Sequence, residues 1–223
     1  MMIIIKLCAL LAIFLLSNVQ AFSCSDRKAF LDAVSVSTFG MVFTSVPPIA
    51  ASEELAVGGT MRMGDSSIMT QKSHGTSEVP VQENLRFGAS RKLADKICNY
   101  NRHFAELGGY FKETSFESVV MNSSGPVVFY DSNSGKPLFV APMGRSKEEF
   151  IAEAKLHGWP SFRDEETVWD NVRVLKDSLE TVSVDGTHLG HNLPDKKGNR
   201  YCINLVSIAG SPIDINSGLN DVT

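Results

Sequence analysis

The second half of the chain alternates short apolar runs with turn-forming residues, a pattern typical of β-strands. The runs 127–130 and 137–140 flank the turn Asp131-Ser132-Asn133-Ser134-Gly135, which predicts a β-hairpin. Further strands are predicted at 168–175, 179–184, 187–193 and 200–208, the last two joined by a turn over 194–199. The pattern predicts a mainly β fold, a small antiparallel domain with peripheral short helices.

A first helix is predicted to begin at Ser90. Its apolar positions recur every three or four residues, at Leu93, Ile97, Tyr100 and Phe104. Gly108-Gly109 ends the pattern. We expect this face to pack on the rest of the domain, with Cys98 lying beside it.

A second, shorter helix is predicted over 146–158. Ser146 and Glu149 form a capping box, and Gly158 stops the helix. Its buried side comprises Phe150, Ile151 and Ala154.

The N-terminal 21 residues have the composition of a secretory signal peptide. Positions 3–16 are apolar apart from Lys6, a run shorter than the ~20 residues that span a bilayer. Val19 and Ala21 place small residues before a cleavage site at Phe22. The alternative is a membrane anchor, although no arginine-rich flank follows the run.

Residues 22–51 resemble a second targeting signal. Arg27-Lys28 precedes an uncharged stretch, and a small-residue site follows at 47–51. A twin-arginine-like signal behind a signal peptide indicates import into a complex plastid, with the thylakoid lumen as destination. The alternative is a secreted protein in which this segment begins the mature domain.

The remaining chain divides by composition. Residues 52–84 are rich in Gly, Ser, Thr and Glu without periodicity, which predicts a mostly disordered linker. We expect an N-terminal helical segment over 85–125, the catalytic domain over 126–210 and a tail over 211–223.

Net charge and cysteine content argue against several kinds of function and site. The 223-residue chain has a formal net charge of −4 and no basic patch, which argues against a nucleic-acid-binding surface. Its four cysteines form no CxxC pair, so the sequence predicts neither a thioredoxin-type motif nor a four-cysteine zinc site. After removal of the leader two thiols remain, Cys98 and Cys202.

The last predicted hairpin concentrates the residues capable of chemistry. Antiparallel pairing brings His188 and His191 on one strand close to Cys202 on the other. The two histidines are three residues apart, so a bulge at Gly190 is needed to turn both to one face. Arg200 shares a face with Cys202, and a thiol beside a guanidinium and imidazoles is expected to favour its thiolate. A zinc or copper site of His188, His191 and Cys202 is the alternative, but Arg200 would repel a cation.

Four motifs follow one another along the chain: Gly135-Lys136-Pro137-Leu138-Phe139, Gly158-Trp159-Pro160-Ser161-Phe162, His188-Leu189-Gly190-His191 and Arg200-Tyr201-Cys202-Ile203-Asn204. In order and spacing they resemble the MsrB family of methionine-R-sulfoxide reductases. The resemblance covers roughly residues 110–209. It implies two small packed antiparallel sheets and reduction of methionine-R-sulfoxide in oxidised proteins or peptides.

The resemblance also implies a role for each matching residue. Cys202 matches the cysteine that attacks the sulfoxide and becomes a sulfenic acid. His188 and His191 match histidines that hold a water and protonate the sulfoxide oxygen. Arg200 and Asn204 match residues that activate and orient the cysteine. The substrate-binding positions are Trp159, which matches the tryptophan that packs on the substrate methyl group, and Phe162.

Two departures from the family pattern affect cofactor and partner. The positions of the zinc knuckles are occupied by Asp131 and Ser134, then Val182 and Asp185, so a zinc-free form without cofactor is expected.

No cysteine precedes the Gly-Trp-Pro-Ser-Phe motif closely, which leaves Cys98 as the internal candidate for resolving the sulfenic acid. Otherwise thioredoxin, glutaredoxin or glutathione reduces it directly.

Two other function classes remain open. One is a non-catalytic module of the same fold that recognises oxidised methionine. The other is a thiol hydrolase or transferase built on a Cys–His pair, for which no oxyanion hole is visible in the sequence.

Overall fold

The computed structural model describes residues 55–213. The predicted signal peptide, the second targeting segment and residues 214–223 of the tail therefore lie outside the described residues. Within 55–213, no helix is long and apolar enough to cross a membrane.

The main sheet has six strands in the order β1-β5-β6-β7-β8-β4. Their bounds are β1 Met63–Gly64, β4 Ser161–Phe162, β5 Val172–Leu175, β6 Glu180–Ser183, β7 His188–Asn192 and β8 Tyr201–Ile203. The mainly β fold is confirmed. The sheet is mixed rather than purely antiparallel, because β1 pairs with β5 in parallel while the other pairs are antiparallel.

The predicted hairpin forms a separate two-stranded sheet. Its strands are β2 Val127–Tyr130 and β3 Pro137–Ala141, close to the predicted bounds. The side chains that pack between the hairpin, the main sheet and the helices are largely aromatic, among them Phe116, Phe129, Phe139, Phe150 and Phe162. The stacking of Phe139 on Phe162, with ring centroids 4.2 Å apart, joins the two sheets.

The helix α3, Lys147–His157, has the predicted boundaries and caps. Ser146 Oγ accepts a hydrogen bond from the Glu149 amide at 3.1 Å, and the Glu149 carboxylate accepts one from the Ser146 amide at 2.8 Å. Gly158 ends the helix at φ +88°, a left-handed conformation that favours glycine.

The first helix is shorter than predicted. It comprises α1, Arg91–Asp95, and one π-helical turn, Lys96–Tyr100. Ile97 is buried, but Tyr100 and Phe104 are 57% and 48% exposed. The chain leaves the helix at Asn101, and Arg102 then forms an ion pair with Glu180 of β6. The 3.6-residue pattern therefore ended sooner than the apolar residues suggested. A further helix, α2 Phe116–Asn122, follows.

Residues 55–84 are packed against the domain, so the prediction of a disordered linker was wrong over this range. Val81 is 1% exposed, and the Gln82 amide donates to the Ser132 carbonyl at 2.8 Å. The Thr76 hydroxyl donates to the Gly186 carbonyl at 2.7 Å. The segment lacks periodicity because short internal turns and hydrogen bonds to the main domain, rather than one long helix or strand, satisfy its backbone.

Candidate active site

Cys202 lies on β8 directly opposite His191 on β7. Its half-buried thiol opens into a cavity of about 170 Å³. The cavity is lined by His103, Phe104, Ala105, Trp159, His188, Gly190, His191, Leu193, Cys202 and Asn204. Five of the predicted site residues therefore line one cavity: Trp159, His188, His191, Cys202 and Asn204.

A bulge turns both histidines into this cavity, as expected from the sequence. The register of β6 against β7 shifts so that Thr181 pairs with Gly190 but Val182 pairs with His188. The two imidazole rings then lie 5.6 Å apart between centroids. Gly190 is required here, because a β-carbon at this position would lie 2.0 Å from the Cys202 carbonyl oxygen.

A buried carboxylate holds His188. The Nδ1 atom of His188 donates to Glu180 Oε1 at 2.8 Å, and the two side chains are 2% and 3% exposed. Burial opposes the charge on Glu180, but hydrogen bonds from His188 and Arg102 outweigh it and lower the pKa of the carboxyl. His188 therefore presents Nε2 to the cavity and is held in place by a carboxylate partner.

His191 has the opposite electrostatic environment. Burial lowers the pKa of its imidazole, and the neighbouring His188 lowers it further. At neutral pH His191 is a neutral ring. The pair thus combines one imidazole hydrogen-bonded to a buried carboxylate with one whose pKa is lowered.

The thiol of Cys202 does not favour its thiolate, contrary to the expectation from sequence. Burial raises the pKa of the thiol above its usual value, and the nearby Glu106 carboxylate raises it further. Arg200 lowers it by charge and hydrogen bonding, but by less. The sequence showed the neighbouring guanidinium and not the burial, which here is the larger effect.

Arg200 is itself largely buried, at 7% exposure. Its Nη1 donates to Ser161 Oγ at 3.5 Å, and its Nε lies 3.6 Å from Asp195 Oδ2. Ser161 pairs with Cys202 across β4 and β8, so Arg200, Ser161 and Cys202 share one face of the sheet.

Trp159 forms a wall of the cavity and is fixed by the segment 101–109. Its indole Nε1 donates to the Glu106 carbonyl at 3.1 Å. A β-carbon at Gly108 would be 3.3 Å from the indole ring, so the backbone of this segment lies against the ring.

Asn204 ties three parts of the site together. Its amide group donates to the Leu189 carbonyl at 3.1 Å and accepts from the Glu106 amide at 3.0 Å. The Glu106 carboxylate in turn accepts from the amides of Leu205 and Val206, at 2.9 and 3.2 Å. Burial raises the pKa of Glu106 to about 7 although these two hydrogen bonds oppose it. Asn204 thus holds the backbone around Cys202 in place.

Phe162 does not line the cavity, contrary to its predicted role in substrate binding. It is fully buried and stacks on Phe139 in the core. Successive residues of a strand point to opposite faces. Because Ser161 faces Cys202, Phe162 faces the core.

Cys98 is also outside the cavity. Its side chain is fully buried, with Sγ 3.5 Å from Ser207 Oγ, in a cluster with Val81, Ala94, Ile97 and Val206. Burial strongly raises the pKa of this thiol. In this conformation Cys98 is an inert core residue.

The residues at the zinc-knuckle positions do not fit a zinc ion. Asp131 is fully buried and accepts hydrogen bonds from the Thr187 hydroxyl and the Asn133 amide, each at 2.8 Å. Asp185 pairs with Lys136 at 2.8 Å, and Val182 offers no ligand atom. Hydrogen bonds and one ion pair connect the hairpin to the main sheet where the resemblance would place the metal.

In the part of the chain described by the structure, one cluster has metal-ligand spacing, Glu153 with His157 and Asp195. Arg163 forms ion pairs with both carboxylates, which already compensates their charge. The cluster excludes Cys202 and the cavity histidines. The structure therefore gives no support to the zinc or copper alternative at His188, His191 and Cys202.

Sequence reasoning missed four residues of the site: Arg102, His103, Glu106 and Glu180. Glu180 was within reach, because it lies on the strand that pairs with β7. Arg102, His103 and Glu106 belong to a loop for which the sequence pattern predicted a helix. Nothing in the local sequence indicates that this loop packs against the site.

Comparison with known proteins supports the resemblance. Methionine-R-sulfoxide reductase B3, mitochondrial, of Mus musculus is 28% identical to this chain over 135 residues, 56% of this chain and 49% of the mouse protein. The chain thus spans about half the length of this curated relative. No family model matches the chain. The partial match supports a relationship to the methionine-R-sulfoxide reductases.

Proposed function

We propose that this protein is a peptide-methionine (R)-S-oxide reductase with Cys202 as its nucleophile. The observation that carries the proposal is a single cavity holding the Cys202 thiol, the His188 and His191 imidazoles and the Trp159 indole. The 28% identity to a protein named as a methionine-R-sulfoxide reductase points to the same reaction.

The chemical step begins with attack of Cys202 Sγ on the sulfoxide sulfur. The sulfoxide oxygen is protonated and transferred to Sγ, so that Cys202 becomes a sulfenic acid and the substrate becomes methionine. Two electrons pass from the cysteine sulfur to the substrate sulfur. The S–O bond of the sulfoxide breaks and an Sγ–O bond forms. The oxygen takes its proton from an imidazolium and the thiol proton returns to that imidazole, so one thiol and one sulfoxide give one sulfenic acid and one thioether.

His188 is the proton donor in this scheme. Its contact with Glu180 stabilises the imidazolium, and its free Nε2 faces the cavity. His191, neutral at neutral pH, hydrogen-bonds the oxygen or an intervening water. Protonation at oxygen compensates for a Cys202 thiol that is itself largely protonated at rest.

Trp159 supplies the selectivity for the R epimer in this proposal. Its ring is held in a fixed orientation by the hydrogen bond to Glu106 and by the backbone at Gly108. An apolar ring in that position packs on the substrate methyl group and leaves the oxygen to the histidines.

An external thiol completes the cycle. Cys202 is half-buried in an open cavity, whereas Cys98 is fully buried. A thioredoxin-like protein, glutaredoxin or glutathione therefore condenses with the sulfenic acid, releasing water and forming a mixed disulfide. A second thiol, in the same reductant protein or in a second glutathione molecule, cleaves this disulfide and restores Cys202. The proposed reaction uses neither a metal nor another cofactor. The location of the protein, in a plastid or outside the cell, stays a prediction.

The test is reduction of a dabsyl-methionine sulfoxide pair, R and S separately, with dithiothreitol and then with thioredoxin. We expect turnover of the R epimer, at least 100-fold over the S epimer, and loss of turnover in Cys202→Ser. Cys98→Ser is the matched control and retains turnover with both reductants. A folded protein that reduces neither epimer would refute the reductase assignment and favour the binding module.

A further inference from the structure

We propose that Arg102 is a positioning residue of this site: it shares the Glu180 carboxylate with His188 and thereby sets how tightly His188 holds its proton. The consequence for turnover rests on the proposed function. The consequence for the titration of His188 does not.

The geometry of the three side chains carries the inference. The Arg102 guanidinium donates to both oxygens of the Glu180 carboxylate. Its Nε and Nη2 atoms lie 2.9 and 2.5 Å from Oε2, and Nε also lies 3.2 Å from Oε1. His188 Nδ1 lies 2.8 Å from Oε1. One buried carboxylate therefore has two nitrogen donors as partners, one on the loop and one on strand β7.

Because Arg102 and His188 share the Glu180 carboxylate, this carboxylate stabilises a protonated His188 less strongly than it would alone. Glu180 is 3% exposed, so its charge is poorly screened by water and acts strongly on both partners. The positive guanidinium offsets part of that charge and also disfavours a second cation beside it. With Arg102 present, His188 releases its proton more readily than it would beside Glu180 alone. A proton donor benefits from this, because its pKa has to lie near the working pH.

Substitution of Arg102 has to leave the other charged and titratable groups that face His188 in the same position and charge state. They are His191 on the same strand, His103 on the loop, Cys202 on β8 and Arg200 immediately before β8. None of them contacts Arg102 in the hydrogen bonds and ion pairs of the described residues.

Arg102 also precedes His103, Phe104 and Ala105, which line the cavity. Loss of the ion pair therefore affects the position of this loop as well as the charge beside Glu180. Arg102→Gln distinguishes the two effects, because the glutamine amide still donates a hydrogen bond to Glu180 but carries no charge. Arg102→Lys keeps the charge without the planar fork.

The experiment is an NMR titration of the full chain labelled with ¹⁵N-histidine, in wild type, Arg102→Ala, Arg102→Gln and Arg102→Lys. We expect the pKa of His188 to rise by about 1 unit in the Ala and Gln variants, the scale expected for a change in a neighbouring charge. The Lys variant stays within a few tenths of wild type. Arg62→Ala, which removes an exposed arginine paired with Asp170, is the matched control and leaves His188 unchanged.

Kinetics provide the second measurement. The alkaline limb of kcat/KM for the R epimer moves up by the same ~1 unit in the Ala and Gln variants. Their kcat falls about tenfold because the donor is weaker, one pKa unit being a factor of ten in equilibrium. KM changes less than kcat, whereas a merely misplaced loop would raise KM and leave the pH profile in place.

The proposal is overturned if His188 titrates alike in wild type and Arg102→Gln, or if Arg102→Lys shifts it as much as Arg102→Ala. Its failure is distinguishable from that of the proposed function. An inactive wild type with the expected His188 shifts removes the reductase assignment alone. An active, Cys202-dependent wild type without the shifts removes the role of Arg102 alone.

Discussion

Cys202 shows how the surroundings of one residue can reverse the inference drawn from its neighbours in sequence. Arg200, two positions away, does favour the thiolate, but burial and Glu106 outweigh it and raise the pKa of the thiol. Under the proposed function, a thiol with a raised pKa rests mainly in its protonated form, so the sulfoxide is activated by protonation of its oxygen. In that scheme the proton donor is His188, which Glu180 holds in place.

Iodoacetamide alkylation measures this property directly. In a Cys98→Ser background, the alkylation rate of Cys202 is expected to keep rising beyond pH 9, because only the thiolate reacts and its pKa lies above the ordinary 9.0. Arg200→Gln slows alkylation about tenfold at pH 8, equivalent to ~1 pKa unit. Arg200→Lys remains within about threefold of the parent. A rate that levels off below pH 8 in the parent would contradict the structure.

At the scale of the element, the hairpin β7–β8 is shaped by one bulge and one glycine. The bulge turns His188 and His191 to the same side, and Gly190 allows the backbone of Cys202 to approach. Paired strands tolerate this approach only where no β-carbon intervenes. Active-site geometry and sheet pairing therefore depend on the same position.

Gly190→Ala tests this dependence. A β-carbon 2.0 Å from the Cys202 carbonyl forces the two strands apart, which we expect to lower the free energy of unfolding by about 3 kcal/mol or more. Gly125→Ala is the control, because no atom lies within 4 Å of the β-carbon it would add. Urea unfolding measures both. An equal, small effect in the two variants would mean that the close approach is absent in solution.

At the scale of the molecule, long-range polar contacts join the hairpin β2–β3 to the main sheet. Asp131 on the hairpin accepts from Thr187 at the start of β7, and Lys136 pairs with Asp185. These contacts stand where the resemblance would place a zinc ion. Val182 offers no ligand atom, and the contacts between hairpin and sheet at these positions are those of the Asp131 carboxylate and the Lys136–Asp185 pair.

Asp131→Ala and metal removal together test the connection. We expect Asp131→Ala to cost about 3 kcal/mol, because the buried donors of Thr187 and Asn133 lose their acceptor. Asp170→Ala, at an exposed ion pair, costs under ~1 kcal/mol. Excess EDTA leaves the Tm of the wild type unchanged. A fall in Tm with EDTA, together with one bound metal per chain by mass spectrometry, would contradict the proposal.

The sequence by itself determined the features that are encoded locally. The hairpin β2–β3 follows from turn residues between two apolar runs, and α3 follows from the capping box at Ser146 and the stop at Gly158. The pairing of His191 with Cys202 follows from counting outward from a turn. In each case the interactions that form the element join residues close in sequence or opposite one another in a hairpin. A sequence pattern is therefore enough to predict them.

Only the tertiary structure decided what depends on distant residues and on burial. Arg102 and Glu180 meet across 78 positions, and the chain leaves its helix at Asn101 before Arg102 reaches the sheet. The direction of Phe162 depends on which face of a two-residue strand meets the core. The pKa of Cys202 depends on how much protein surrounds it. Burial and long-range pairing are sums over the whole fold, so no local window of sequence contains them.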